Sequence, residues 1–350
     1  MVNNDAAPEV VLEIYPETVS KRKLPVNFSQ DDSKLFDLDL ERTLPPTQLL
    51  RFRNIRVSPE GLLFTGKTIL PESFAFRRHL QEWKRRSVFK FLATNYLLRR
   101  RRRIDKEVLW ITDYWSTSYF HWLTDALTRL FVVRDRLKDH TLMLPAGYET
   151  RDFVTTSLKG FRASNVDFVA RSEALECNGL FMATHTAPPG HFHDEAIRGV
   201  RDVLRSAFGD DSYQGAGERL YISRKRADKR RIANETELAT VLASHGFETI
   251  YAEDLSFEQQ VKTFSRARYI VSNHGAGLTN ALFMKEGANL LELRHQWDRN
   301  RNCFFVMSSA LNLNYFYLRC RPQEYDANPH TADLVVDPEE LDQTLRLLLN

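Results

Sequence analysis

Cysteine is scarce: Cys177, Cys303 and Cys320 are the three in the chain. They are widely spaced, with no Cys-x-x-Cys pair and no metal-like cluster with histidine. That pattern excludes a disulfide-stapled scaffold and a thiolate metal centre, and it fits a reducing compartment. No apolar stretch reaches membrane-spanning length, and the opening MVNNDAAPEV lacks the basic-then-apolar layout of a secretion signal. The expected location is therefore cytoplasmic. An excess of one charge sign is missing too: 49 Lys and Arg against 46 Asp and Glu leave a formal +3, so bulk charge makes no argument for nucleic acid. Asp-x-Asp occurs once, at Asp37-Leu38-Asp39, in a segment that reads as surface, and it is taken as incidental.

What is present suits a globular α/β protein. Hydrophobic residues make up 43% and aromatics 11% of 350 residues, too many for one core of ordinary size, so two domains are expected. Residues 1–50, punctuated by Pro8, Pro16, Pro25, Pro45 and Pro46, read as an irregular arm with one strand at Val10–Ile14. Residues 51–208 form the first domain. They open with two short strands around Pro59-Glu60-Gly61, followed by a strand at 107–112 and a helix over 119–137. Strands at 140–144, 165–169 and 179–182 and a helix at 194–207 complete it. The polar FGDDSYQGAG at 208–217 marks the boundary. Residues 209–330 alternate strand and helix regularly, which implies a parallel sheet with helices on both faces. A capping box is expected at Asn234 to Glu237. An amphipathic helix in 331–350, capped by Asp337 and Pro338, is expected to pack back on the first domain.

The segment ARYIVSNHGAGLTNALFM, 267–284, carries most of the chemistry. An apolar strand, Tyr269-Ile270-Val271, runs into Asn273-His274-Gly275-Ala276-Gly277, and a helix starts near Thr279. Glycines let a ligand approach the main chain, and the unpaired N–H groups of a helix start attract an anion, so a phosphate is the expected guest. Such turns also serve backbone geometry alone. Gly275-x-Gly277-x-x-Asn280 lacks the third glycine of a dinucleotide fingerprint, while Glu292 closes the next strand where an acid can accept from a ribose.

A second strand, ending Tyr221-Ile222-Ser223-Arg224-Lys225-Arg226, delivers Ser223 and Arg224 to the same edge, with Arg230 and Arg231 following. Arg224 can make a forked contact with a diphosphate, with Lys225 and Arg230 as further candidates. On the first-domain helix, His121 and Asp125 are spaced i, i+4 and share a face. Either can take a proton from a hydroxyl nucleophile, and the carboxylate can hold the imidazole in one tautomer. A buried histidine bonded to its own aspartate is the structural alternative.

Together these residues resemble the family-61 glycosyltransferases. The pattern is Tyr119-Phe120-His121-Trp122-x-x-Asp125-x-x-x-Arg129-Leu130, then Leu220-Tyr221-Ile222-Ser223-Arg224, Arg230-Arg231-x-x-Asn234-Glu235, and His274-Gly275-Ala276-Gly277-Leu278-Thr279-Asn280. That family includes plant xylan-decorating enzymes, eukaryotic O-linked N-acetylglucosaminyltransferases and bacterial capsule-biosynthesis proteins. The resemblance spans roughly 105–320, and its last motif is the most specific. It implies a GT-B architecture of two facing Rossmann-like domains. It also implies inverting, metal-independent transfer from a nucleotide sugar, usually UDP-linked, to a glycan or lipid-linked glycan in surface polysaccharide synthesis. On that resemblance Gly275, Ala276, Gly277, Leu278, Thr279 and Asn280 cradle the diphosphate, Arg224 neutralises the leaving group, and Glu292 or a neighbour binds ribose; His274, beside the turn, either bonds the donor or serves structure alone. Asp125 is the preferred base, with His121 as its partner or as the base itself.

The run Arg99–Arg103, with Lys84, Arg85 and Arg86 upstream, is either a solvated face or a peripheral contact with anionic lipid at the inner face of the plasma membrane. No nucleic-acid motif accompanies it. Two rival readings are a nicotinamide-dependent oxidoreductase and a nucleotide- or polyanion-binding module without catalysis.

Overall fold

A computed structural model describes residues 7–85, 88–324 and 328–350. The chain divides into two compact units, Met1–Thr18 with Thr43–Pro189 and Val19–Arg42 with Gly190–Asn350.

The first unit is built on nine strands. In chain order they are β1 (Glu9–Tyr15), β2 (Thr47–Val57), β3 (Leu63–Thr65), β4 (Thr68–Ile69), β5 (Arg100–Ile104), β6 (Val108–Trp110), β7 (Thr141–Leu144), β8 (Val166–Phe168) and β9 (Glu173–Ala183). The spatial order is β8-β7-β6-β9-β2-β3-β4, with β1 on β2 and β5 on β9. Strands β5 to β9 pair in parallel, whereas β1 to β4 add an antiparallel flank that joins at β9. The sheet is therefore mixed rather than purely Rossmann-like. Its centre is apolar because helices cover it, and Phe52, Ile55, Val108, Trp110, Met143, Leu175 and Leu180 share one buried cluster.

From β6 the chain steps outward to β7 and β8, then returns with β9 to the other side of β6. The strand order thus reverses between β6 and β9. Helix α1 (119–132) follows β6. Ser118 caps it, its hydroxyl accepting from the His121 amide at 3.3 Å. The turns at Trp122–Ala126 widen to π geometry before α-helix resumes at Leu127–Val132. Such widened turns recur at functional sites. Helix α2 (Asp152–Gly160) links β7 to β8.

Arg100–Arg103 of the arginine run lie in strand β5, and the run's guanidinium groups are paired. Arg99 pairs with Glu60, Arg100 with Glu173, Arg101 with Glu176, Arg102 with Asp167 and Arg103 with Asp105. Glu173 and Glu176 reach the run because β9 lies beside β5 in register, a proximity invisible in the linear sequence. The local charge is neutralised, so the electrostatic attraction of about 1 kcal/mol per free basic residue has little to act on. Of the upstream triplet, Arg86 and the side chains of Lys84 and Arg85 lie outside the described residues. Co-sedimentation with anionic vesicles is expected to match that with neutral vesicles. A strong, salt-sensitive preference for anionic lipid would contradict it.

The second unit carries β10 (Arg219–Ile222), β11 (Glu248–Ile250), β12 (Tyr269–Asn273), β13 (Asn289–His295), β14 (Asn314–Pro322) and β15 (Leu334–Val335), in the order β11-β10-β12-β13-β14-β15. The first five are parallel, as the sequence implies, and β15 closes the edge antiparallel. Helices α3 (Asp194–Phe208), α4 (Glu235–Ser244), α5 (Phe257–Arg266), α6 (Cys303–Ala310) and α7 (Pro338–Leu349) accompany it. The expected boundary at 208–217 moves to 189/190, so α3 belongs here. Residues 19–42 of the expected arm belong here as well. Arg22 bonds Asp194 at 2.5 Å, Phe36 packs on Phe305, and Asn302 donates to Leu35 O and Asp39 Oδ2 at 2.6 and 2.7 Å. Asp39 of the lone Asp-x-Asp is thus engaged in packing.

Helix α7 packs within its own unit. Its Leu341, Leu345 and Leu348 join Leu238 and Leu242 of α4 in the second unit's own core, because an apolar stripe at i, i+4, i+7 seeks the nearest open helix face. The capping box expected at Asn234 also fails. The Asn234 amide nitrogen instead donates to Val336 O at 2.7 Å, tying α4 to the approach of α7, while a true box forms at Ser256 and Gln259 of α5. Leu242 is fully buried at this junction. Leu242→Ala is expected to lower stability by about 2–5 kcal/mol in urea unfolding. A loss below about 1 kcal/mol would mean the α4–α7 core is not packed as described.

Candidate active site

In the second unit, β11 lies on one side of β10 and β12 on the other, so the order reverses between β10 and β12. Open parallel sheets bind ligands beyond the carboxyl ends of strands at such a reversal. Arg224 stands two residues past the end of β10 and Gly275 two past the end of β12. The two meet: a Cβ built on Gly275 would fall inside the Arg224 guanidinium. Glycine serves close approach here rather than backbone freedom, since the backbone at Gly275 is extended (φ 174°) and open to any residue, while any Cβ would displace the guanidinium. Arg224 is braced by carbonyls of its own loop, Nε to Arg230 O at 3.3 Å and Nη2 to Lys229 O at 3.2 Å. Asn273 Nδ2 also bonds Arg230 O.

The helix expected from Thr279 begins at Ala276 and is a 3-10 helix, Ala276–Phe283. Its first amides, at Ala276 and Gly277, have no acceptor within the helix and carry its positive end. Arg230 sits in the left-handed region at φ 58°, a strained setting for a non-glycine residue. Burial, with Arg224 and Arg301 beside it, pushes its guanidinium down to about 10. Burial also lowers Arg224. These cations are crowded together and incompletely paired. Among the described residues, Arg230 Nε, Arg301 Nη1, Asn273 Oδ1 and Thr279 Oγ1 are buried without a hydrogen-bond partner. Buried polar atoms left without partners beside clustered guanidinium groups are chemically suited to an anion.

Other expected donor contacts have different positions. Glu292 is fully buried beneath the turn. One oxygen meets His274 Nδ1 at 2.5 Å and the other accepts from the Tyr315 hydroxyl at 2.5 Å. Its place corrects the ribose assignment, because both oxygens are engaged inside and serve to orient His274. Burial lowers His274 despite Glu292, so the ring is neutral near pH 7, with Nδ1–H donating and Nε2 carrying the lone pair. Ser223 gives its hydroxyl to Glu235 at 2.6 Å. Lys225 lines a separate groove of about 920 Å³ with Tyr221, Glu235 and Tyr251. Leu278 and Asn280 are buried within the 3-10 helix.

In the first unit, His121 Nδ1 meets Asp125 Oδ2 at 2.6 Å, so the i, i+4 pair forms. Asp125 is 5% exposed and accepts at its other oxygen from the Thr124 hydroxyl at 3.1 Å; His121 is 20% exposed. The carboxylate stands behind the ring, and Nε2 is the nitrogen left for solvent. Burial alone would lower His121, but the bond to Asp125 and the charges of Asp125 and Asp113 raise it above the ordinary histidine value. His121 lines a cavity of about 500 Å³ with Pro59, Glu60, Tyr114, Trp115, Pro145 and Tyr148, beyond the ends of β6 and β7. Trp115 packs on the His121 ring at 4.8 Å.

Sequence reasoning missed Asp113, His185 and Arg301, and it read Arg129 only as part of a motif. Asp113 is legible in retrospect as a carboxylate just past a strand end, before a Ser that closes an Asx turn. His185 and Arg301 lie in irregular segments with no periodic signal.

Residues 119–291 match the family model described as Glycosyltransferase 61. Among curated relatives, the protein O-linked-mannose beta-1,4-N-acetylglucosaminyltransferase 2 of Xenopus laevis is 39% identical over 84 residues, 23% of this chain and 14% of the relative. The Mus musculus protein of the same name is 40% identical over 88 residues, 23% of this chain and 15% of the relative. That of Homo sapiens is 38% identical over 81 residues, 22% and 14% respectively. The chain thus spans about 14% of the length of these relatives. The matched segment runs from the His121–Asp125 helix through the Gly275–Asn280 turn, and by it the chain belongs to the glycosyltransferase 61 family.

Proposed function

We propose that the chain is an inverting glycosyltransferase that moves a sugar from a nucleotide sugar, UDP-linked, to a hydroxyl of a glycan or lipid-linked glycan, as in surface polysaccharide synthesis. The observation that carries the reading is the cluster of Arg224, Arg230 and Arg301 at the strand-order reversal, with its orphaned polar atoms and the first amides of the 3-10 helix. The names of the relatives specify N-acetylglucosamine transfer, which makes UDP-N-acetylglucosamine the first donor to test. We further propose a GT-B arrangement, with the donor in the second unit and the acceptor in the first.

In this mechanism the neutral His121 Nε2 accepts the proton of the acceptor hydroxyl. The oxygen lone pair forms the new bond to the anomeric carbon. The bond from that carbon to the diphosphate breaks, and its electrons leave with the nucleoside diphosphate. Asp125 fixes the reactive tautomer and stabilises the imidazolium that forms. Guanidinium groups and backbone amides stabilise the charge developing on the leaving group, the work a divalent cation does in other sugar transferases. The incomplete Gly-x-Gly-x-x-Gly disfavours the nicotinamide alternative.

Thermal unfolding in UDP, GDP, CMP and NAD separates the readings. UDP is expected to raise the midpoint by several degrees, in line with about 2.7 kcal/mol at a hundredfold excess over Kd. Stabilisation by NAD alone would overturn the proposal.

A further inference from the structure

The first unit holds a second histidine–aspartate pair that no motif announces. His185 Nε2 meets Asp113 Oδ2 at 2.7 Å. Asp113 lies just past the end of β6 and His185 just past the end of β9, the neighbouring parallel strands between which this sheet reverses its order. The pair therefore spans the crevice where an open α/β sheet places its ligand. The other oxygen of Asp113 accepts from the Trp115 amide at 2.7 Å and from the Ser116 amide and hydroxyl at 3.1 and 3.2 Å. One carboxylate thus folds the turn that carries Trp115 onto the His121 ring. Behind both pairs lies Arg129, fully buried, its Nε donating to Ala183 O at 2.8 Å at the end of β9. Its Nη1 and Nη2 have no hydrogen-bond partner among the described residues. Its charge acts on Asp113 and Asp125 alike.

We propose that Asp113 and Arg129 are positioning residues for His121, a buried charge frame that orients this base and sets its readiness to accept a proton without touching the acceptor. The proposal rests on the glycosyl-transfer reading above. Two carboxylates, Asp113 and Asp125, lie near one guanidinium, so these three groups together hold one negative charge in excess. Proton transfer to His121 Nε2 cancels that excess, which favours the transition state over the resting state. Arg129 limits the effect, since without it the two buried carboxylates would repel each other. The remaining groups around His121 are accounted for. Glu60 on the cavity rim is paired with Arg99, and His79 packs on Trp115 at 4.4 Å. Arg151 donates to Thr117 O at 2.6 Å. Burial opposes ionisation of Asp113, yet the His185 bond, the Arg129 charge and the Trp115 amide hold its carboxyl well below the usual range, so it stays charged wherever His121 titrates.

The test is an NMR titration of the His121 ring in the full chain, free of donor and acceptor, in wild type, Asp113→Asn and Arg129→Gln, with kcat/KM profiles against pH beside it. The His121→Asn spectrum assigns the resonance. Removing the Asp113 charge is expected to lower the His121 midpoint by about one pH unit, and removing the Arg129 charge to raise it by a similar amount. The acid limb of kcat/KM should move with each midpoint. Should Asp113→Asn not fold, Arg129→Gln carries the same test with opposite sign, and Arg129→Lys, which keeps the charge, should leave the midpoint in place. Midpoints unmoved in folded variants overturn the charge frame. Moved midpoints with an unmoved rate profile leave the frame standing and overturn His121 as the base, and with it the mechanism proposed above.

Discussion

His121→Ala is expected to lower kcat/KM by about 10²–10⁴-fold, the usual contribution of a positioned general base. UDP affinity should stay near wild type, because every proposed donor contact lies in the second unit. Asp125→Asn should approach the same loss for a different reason. The amide can donate to Nδ1, which would place the proton on Nε2 and present the acceptor hydroxyl with a donor instead of a lone pair. The pH dependence follows in sign. The active form is neutral His121, whose value is raised, so kcat/KM should climb with pH through a limb above the ordinary histidine value near 6.5. Steady-state kinetics on UDP-N-acetylglucosamine and product detection by mass spectrometry provide the measurement. If His121→Ala keeps wild-type turnover, the base lies elsewhere. If Asp125→Asn alone is inactive, the carboxylate itself takes the proton.

Arg224→Ala should be as damaging, through the leaving group. Removing one preorganised donor from a developing anion typically lowers kcat by about 10²–10³-fold. Donor affinity should fall as well, since the guanidinium also meets the ground-state diphosphate. Arg224→Lys should recover little, because an ammonium cannot reproduce the fork. Gly275→Ala tests the same contact from the other side. Its Cβ would occupy the space of the Arg224 guanidinium, so the arginine must move although nothing else in the pocket changes. Both variants should weaken UDP binding while leaving the His121 titration unaltered. A Gly275→Ala protein with wild-type kinetics would show that Arg224 does not work from this position.

Much of the second unit could be read in advance because it is local. The strand at Tyr269–Asn273, the Gly275–Gly277 turn and the strand ending before Arg224 each lie within a few residues, and regular alternation predicts the parallel sheet that brings their ends together. Helix α6 escaped notice because Cys303–Ala310 is apolar on nearly every side and shows no amphipathic period. The neutralising partners of the arginine run, Glu60, Asp167, Glu173 and Glu176, could not be read from the run itself because they are supplied by tertiary pairing. Glu292 was misplaced for a related reason. Sequence locates the end of a strand, but the side chain's face and its engagement by His274 and Tyr315 are settled by packing. The roles of His121 and Asp125 could not be separated by spacing, since i and i+4 fix a shared face and say nothing of which group stands nearer solvent.

The central claim is that the second unit neutralises a nucleoside diphosphate with its own guanidinium groups and amides. Calorimetric titration of UDP into the full chain in excess EDTA tests it most directly. The account predicts saturable binding at one site, lost in Arg224→Ala. Heat that appears only after Mg²⁺ or Mn²⁺ is restored, or binding indifferent to Arg224, would contradict it.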